Sequence, residues 1–189
     1  MEHQTHFFYA LRIPEGTKGI LKNHIEQLRT ALPFQRWVHH LDLHITLAFL
    51  GSAPAEKLEA SVNNVKSAIK SEQAFTLKIN DLGIFGAKDS PRVFWADTEE
   101  SPELQALRKK IFQACEEAGF ELEKRPFRPH ITMARKWRGD APFQKEQLTI
   151  WKELQPESLP FLAGEVVLYQ THLNQTPKYE AIKLFPLQT

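Results

Sequence analysis

The sequence contains one cysteine, no long apolar stretch and almost no net charge, and each absence excludes a class of protein. A single thiol, Cys115, cannot form a disulfide within the chain, which fits a reducing compartment. No run approaches the roughly 18–20 apolar residues that a membrane-spanning helix needs. The polar first residues lack a secretory apolar core, so we expect a cytoplasmic protein. A net charge of +1 argues against a protein that coats nucleic acid through bulk electrostatics.

The remaining composition is that of a globular protein. With 189 residues, 42% of them hydrophobic and 25% charged, the chain is long enough to bury the core of one domain. Periodicity predicts strands over 7–13, 37–50, 75–79, 92–96, 127–135, 165–172 and 179–184. It predicts helices over 17–32, after Pro54, from Pro102 to about Gly119 and over 142–154. This order repeats approximately twice, which favours an α/β protein of two similar halves facing each other across a cleft.

Two predicted strands carry the same chemical pattern. His44-Ile45-Thr46 and His130-Ile131-Thr132 each place a histidine and a threonine two residues apart between apolar neighbours. Alternate side chains of a strand point to the same face, so each pair presents an imidazole and a hydroxyl together. Alanines two residues further on, at positions 48 and 134, are expected to leave room for a ligand. A third match, beginning at His3, lacks apolar flanks and is attributed to chance.

Two imidazoles and two hydroxyls suit acid–base chemistry on a phosphate. Histidine has a pKa of about 6.5, so one copy can be neutral and accept a proton while another is charged and donates one. Thr46 and Thr132 could donate hydrogen bonds to the non-bridging phosphate oxygens. Opening a 2′,3′-cyclic phosphate at an RNA end requires a base, an acid and such donors, and needs neither a metal nor a cofactor.

A cluster of basic residues strengthens the case for a phosphate ligand. Six of them surround His130, and Arg128 shares its strand parity with that histidine. We expect phosphate contact from this cluster, with Arg128 and Arg135 as the candidate substrate-binding residues. The six are Lys124, Arg125, Arg128, Arg135, Lys136 and Arg138.

A metal site is the competing interpretation of the first strand. His40, Asp42 and His44 share one parity and offer nitrogen and oxygen ligands. Strand residues four apart are separated by roughly 13 Å, which is too far for two ligands of one ion unless the strand bends. The sequence therefore favours a site without a metal.

The chain resembles the 2H phosphoesterase superfamily and, within it, the RNA 2′,3′-cyclic phosphodiesterases, also called 2′-5′ RNA ligase-like proteins. Residues 43–51 and 127–135 carry the resemblance, with support from 83–86, 91–95, 167–170 and 177–180. One departure is the segment Thr5-His6-Phe7-Phe8, where relatives often have an arginine before an aromatic residue.

The resemblance implies a single domain over residues 1–189. Its fold would be a bilobal α/β (α+β) one with pseudo-twofold symmetry, in which two antiparallel-rich sheets face a central cleft and helices lie outside. It implies His44 as the proton donor and His130 as the proton acceptor, and an RNA product ending in a 2′-phosphate. We expect a monomer, because no apolar helix stripe is left unpacked.

Four alternatives remain open at this stage. The same site could act on a small cyclic nucleotide or on ADP-ribose cyclic phosphate, or could join RNA ends as a 2′-5′ ligase. A protein that only binds RNA ends would not require an acid–base pair. A metal hydrolase would be sensitive to a chelator.

Overall fold

The computed structural model describes residues 5–189, so the third His-x-Thr match, at His3, lies partly outside it. Its strands are β1 (Phe7–Arg12), β2 (Phe34–Trp37), β3 (His44–Gly51), β4 (Phe75–Ala87), β5 (Ser90–Thr98), β6 (His130–Trp137), β7 (Leu159–Ala163), β8 (Glu165–Thr171) and β9 (Tyr179–Pro186). Its α-helices are α1 (Glu15–Ala31), α2 (Ala55–Ala68), α3 (Pro102–Glu117) and α4 (Ile150–Leu154). No helix within residues 5–189 is long and apolar enough to cross a membrane.

The strands form an open antiparallel sheet in the order β7-β4-β5-β6-β3-β1-β8-β9, and β2 also pairs with β6. The predicted mixed fold is confirmed. The two expected sheets are the two halves of one continuous sheet, because β3 and β6 pair at Ile45 and Ile131. One half contains β3, β1, β8 and β9, and the other contains β6, β5, β4, β7 and β2. Each half supplies one of the two histidines.

Prolines and a local turn account for the changed boundaries of the two strands that carry the His-x-Thr pattern. The predicted strand over 127–135 begins only at His130, since Pro126 and Pro129 have no N–H to donate to a ladder. The predicted strand over 37–50 is interrupted by a 3₁₀ turn at His40–Asp42. The ring of His39 accepts a hydrogen bond from the N–H of Leu41 at 3.2 Å and stabilises this turn.

Helix α3 begins and ends as its sequence predicts. The hydroxyl of Ser101 accepts a hydrogen bond from the N–H of Leu104 at 3.1 Å, and Pro102 takes the first helical position. Gly119 follows the helix with φ of 98°, a left-handed conformation that glycine adopts without strain. The stripe through Leu107 and Ile111 is buried against the sheet.

The core lies on the helix-covered face of the sheet, and a smaller apolar cluster lies on the opposite face. Tyr9 of β1 points into the core, where its hydroxyl bonds to Ser61 of α2 at 2.9 Å. Its neighbours Phe8 and Ala10 point the other way and pack with Tyr169 of β8 in a separate cluster. This second face is the one that carries the His-x-Thr side chains.

The two His-x-Thr strands share a bulge at equivalent positions. Leu47 in β3 and Met133 in β6 are each the extra residue opposite β1 and β5, respectively. The bulges turn Ala48 and Ala134 to the buried side, where both join the core. Ala48 still borders an open cavity of about 600 Å³, so the expected space is present beside this alanine. They also bring the next residues, Phe49 and Arg135, to the exposed face. The histidine and threonine of each motif precede the bulge and keep the predicted alternation.

Asp42 connects the first half of the chain to the last hairpin. Its side chain is 5% exposed, and its two carboxylate oxygens accept the backbone N–H groups of Lys178 at 3.0 Å and Tyr179 at 3.1 Å. These bonds hold the start of β9 against the turn that precedes His44.

Replacing Asp42 with alanine removes the acceptor of two backbone N–H groups at once. Each donor left without a partner costs about 1–3 kcal/mol, so D42A should lower the free energy of unfolding by about 2–6 kcal/mol. Urea denaturation measures this loss. The exposed Asp140→Ala variant is the control, and a D42A loss no larger than that of D140A would contradict the role assigned to the carboxylate.

Candidate active site

His44 is held by the backbone just ahead of it. Its Nδ1 lies 2.7 Å from the carbonyl oxygen of Asp42, which can only accept, so Nδ1 carries the hydrogen. The other ring nitrogen, Nε2, is 3.0 Å from the hydroxyl of Thr46. The neutral ring therefore has one defined tautomer, with the basic nitrogen on the His-x-Thr face.

His130 repeats this arrangement in the other half of the sheet. Its Nδ1 donates to the carbonyl oxygen of Arg128 at 2.7 Å, again two residues earlier in the chain. Its Nε2 has no hydrogen-bond partner among the described residues, whereas that of His44 is bonded to its threonine. The two histidines thus have the same hydrogen bond at Nδ1 and differ at Nε2.

The pairing of β3 and β6 sets the positions of the four side chains. Ile45 lies opposite Ile131, so the antiparallel register puts Thr46 opposite His130 and His44 opposite Thr132. The two isoleucines point into the core, and the flanking residues point to the opposite face. The structure thus brings together the two histidines and two threonines that the sequence predicts.

Aromatic rings enclose His44 on the cleft face. Its ring centroid lies 4.8 Å from that of Phe8, 5.2 Å from that of Tyr179 and 6.0 Å from that of Tyr169. Sequence reasoning missed these three residues. Strand β1 is apolar at almost every position, so alternation there does not reveal which face lines a cleft.

A second aromatic wall stands beside His130. Phe85 packs edge-on against the imidazole with centroids 5.1 Å apart, and Trp95 lies at 6.1 Å. Gly83 allows the indole to lie flat on β4, because a Cβ at this glycine would come within 2.2 Å of the Trp95 ring. Trp95 therefore belongs to the wall of the site.

Burial keeps both imidazoles neutral in the free protein at pH 7. The pKa of His44 is lowered to about 4, mainly by desolvation and partly by the nearby His130, against the opposing effect of Asp42. The pKa of His130 is also lowered, first by burial and then by the charge of Arg135. Burial raises the pKa of Tyr169 to about 12 and that of Tyr179 above its usual value, so both phenols stay protonated.

The two predicted arginines line two separate cavities. Arg128 lines an open cavity of about 600 Å³ that also contacts Thr46 and His130. It belongs to the loop before β6, so strand parity does not explain its position. Arg135 lines a second cavity of about 280 Å³. Four further basic residues line these cavities and were missed because they lie far from His130 in the sequence; they are Arg36, Arg92, Arg108 and Lys178.

The residues considered for a metal site serve other purposes. The carboxylate of Asp42 accepts two backbone N–H groups, and the ring of His40 stacks on that of His39 with centroids 4.5 Å apart. Within residues 5–189, no three histidine, cysteine, aspartate or glutamate side chains are grouped closely enough to hold an ion.

The chain belongs to the 2′-5′ RNA ligase superfamily, whose family model matches residues 20–175. Over 184 residues it is 41% identical to an RNA 2′,3′-cyclic phosphodiesterase of Geobacillus stearothermophilus, matching 97% of this chain and 58% of that relative. Over 192 residues it is 40% identical to an RNA 2′,3′-cyclic phosphodiesterase of Bacillus subtilis, matching 96% of each chain. The chain thus spans less than two thirds of the Geobacillus relative and nearly all of the Bacillus one.

Solved structures share the fold. A Thermus thermophilus protein superposes with a TM-score of 0.76 and 24% identity, covering 97% of this chain and 98% of its own. Escherichia coli LigT complexed with 3′-AMP superposes with a TM-score of 0.75 and 25% identity, covering 99% of this chain and all of its own.

The low pKa of His44 makes folding stability depend on pH. The unfolded chain protonates this histidine near pH 6.5 and the folded protein only near pH 4, so the unfolded state binds more protons between these values. Above about pH 6.5 the protonation of His44 costs the folded protein almost no stability, and this cost grows as the pH falls toward 4. Between pH 7 and pH 4 the free energy of unfolding should fall by about 3 kcal/mol more in the native protein than in His44→Gln. Urea titrations at both pH values measure the difference, and equal losses would refute it.

Proposed function

We propose that this protein hydrolyses the 2′,3′-cyclic phosphate at RNA ends to a 2′-phosphate, without a metal ion. The observation that carries this proposal is the hydrogen bond that both histidines share. Each Nδ1 donates to a backbone carbonyl, which leaves Nε2 for proton transfer in the cleft. The names of the relatives in Geobacillus and Bacillus support the same substrate.

In the proposed reaction, His130 and His44 act on opposite sides of the phosphorus. A water oxygen forms a bond to phosphorus as Nε2 of His130 takes the water proton. The bond from phosphorus to the ribose 3′ oxygen breaks, and that oxygen takes the proton of Nε2 of His44. The product is a 2′-phosphate with a free 3′ hydroxyl, and a second proton exchange with solvent restores both imidazoles.

Thr46 and Thr132 would donate to the non-bridging oxygens, where charge accumulates in the transition state. Arg128 and Arg135 would attract the phosphate by charge. The hydroxyl of Thr46 bonds to Nε2 of His44, so an incoming phosphate would take the place of this hydrogen-bond partner.

The proposed acid is neutral until the substrate binds. A phosphate anion beside His44 favours its charged form and so raises the pKa that burial has lowered. The substrate would thereby help to load the proton that its own leaving oxygen consumes.

The first test supplies a short RNA with a 2′,3′-cyclic phosphate end to the purified protein in excess EDTA. We expect turnover to a 2′-phosphate end, and a loss of about 10²–10⁴-fold in kcat for both His44→Ala and His130→Ala. His24→Ala is the control, since this histidine lies on α1 and bonds to Gln155. End-group analysis by mass spectrometry and chromatography against 2′- and 3′-phosphate standards identifies the product.

Each alternative function predicts a different result in this assay. Activity that disappears in EDTA and returns with a divalent cation would indicate a metal hydrolase. Binding without turnover, weakened but not abolished in the alanine variants, would indicate an RNA-end binder. Turnover only of small cyclic phosphates would indicate that these, and not RNA ends, are the substrates. Joining to a 5′-hydroxyl RNA would reveal ligase activity.

The pH profile tests the protonation states. Both histidines have a lowered pKa in the free protein, so kcat/KM should peak below pH 6.5 and fall about tenfold per unit above the higher pKa. The profile of kcat should lie at higher pH, because the bound phosphate raises the imidazole pKa values. A kcat/KM that is constant or rising from pH 6.5 to 8 would contradict this assignment.

The proposal also includes the domain organisation, the oligomeric state and the location of the protein. Residues 1–189 would act as one domain of two similar lobes, working as a monomer in the cytoplasm on RNA ends. Support for two lobes comes from the sheet, in which each half contributes one histidine.

A further inference from the structure

We propose that the 600 Å³ cavity beside His130 binds the RNA strand immediately 5′ of the cyclic phosphate, with Arg108 contacting its first phosphodiester. We call it the arginine cavity and define it by Arg92, Arg108, Arg128, Phe85, Phe112 and Phe127. This inference rests on the proposed function and extends it from the reacting phosphate to the body of the RNA.

Arg108 is a cation packed against two aromatic rings. Its guanidinium lies 4.0 Å above the ring of Phe112 and 5.3 Å from that of Phe127. Its Nε is buried and has no hydrogen-bond partner within residues 5–189, and no salt bridge in that range includes this arginine. An arginine held between two rings presents its planar donors in a fixed direction, which suits a phosphate oxygen.

The rest of the cavity is also predominantly cationic. Arg92 and Arg128 form no salt bridge among the described residues, and Arg125 pairs with Glu123 at 2.5 Å. Glu121 is the other carboxylate in the lining. In a protein with a net charge of +1, this concentration of arginines is local. A single strand of RNA carries the complementary charge at regular intervals.

Aromatic rings line the way from the histidines to Arg108. Phe85 contacts the imidazole of His130 and also lines the cavity, and Phe49, which is 56% exposed, lines it as well. Unpaired bases stack on such rings irrespective of their identity. A volume of about 600 Å³ lies within the range of small-ligand sites.

The chemistry of the substrate decides which part of the RNA reaches this cavity. A terminal cyclic phosphate has no nucleotide on its 3′ side, so the chain can leave the site only in the 5′ direction. The arginine cavity contacts both Thr46 and His130 and therefore opens directly onto the proposed phosphate position. The smaller cavity contacts neither histidine of the site and includes the carboxylate of Asp42.

The test compares a mononucleoside 2′,3′-cyclic phosphate with a dinucleotide that has the same end. Arg108→Met keeps an apolar side chain between the rings and removes the charge. It should lower kcat/KM for the dinucleotide about tenfold or more, and change that for the mononucleotide less than twofold. Arg108→Lys should recover part of the loss. Arg29→Met on α1 is the matched control and should leave both substrates unchanged.

Salt provides a second readout. The slope of log kcat/KM against log salt should be steeper for the dinucleotide than for the mononucleotide, and R108M should reduce the dinucleotide slope by about 0.7. Arg92→Met should produce a smaller loss in the same direction. Its side chain is exposed and makes none of the ring contacts of Arg108, so this variant avoids a folding defect.

Equal losses on both substrates in R108M, or no loss on the dinucleotide, would overturn the inference. Absence of turnover with every substrate would instead count against the proposed function. In that case, anisotropy of a fluorescent trinucleotide ending in a 2′-phosphate still tests the cavity. R108M should weaken its binding about tenfold, and unchanged binding would overturn the inference on its own.

Discussion

The pairing of Ile45 with Ile131 is the contact on which the whole site depends. It is where β3 and β6 meet and the two halves of the sheet become continuous. Both isoleucines are fully buried, so their side chains fix which face of each strand is apolar. A slip of one residue would turn a histidine into the core, which makes the register costly to change. The same two side chains thus join the halves and direct both imidazoles into one cleft.

Backbone carbonyls and burial then determine the state of those imidazoles. The carbonyls of Asp42 and Arg128 fix the tautomers, and removal from water lowers both pKa values. Because both imidazoles are neutral, they repel neither each other nor the arginines around them. The positive charge that the proposed acid catalysis needs would be favoured once an anion occupies the cleft.

Local pattern was sufficient to predict the histidines, the threonines and most helices, because alternation and capping depend on near neighbours. The Ser101 cap and the stripe through Leu107 are examples. Residues brought in by long-range pairing could not be predicted in this way. Tyr179 is held beside His44 by the carboxylate of Asp42, which lies 137 positions before Tyr179 in the chain. Arg108 lines the cleft from a helix whose sequence pattern shows only a buried stripe. The bulges at Leu47 and Met133 have no sequence signal, and they reversed the expected placement of the alanines.

The order of the strands in the sheet determines when the first histidine acquires its surroundings during synthesis. Strand β3 and His44 leave the ribosome before Tyr169 and Tyr179, which arrive with β8 and β9, more than 100 residues later in the chain. The other half of the sheet can pair β4, β5 and β6 from a contiguous stretch of chain. Because β1 must wait for β8 to cover its second edge, the nascent chain keeps an unpaired strand edge until β8 has been synthesised.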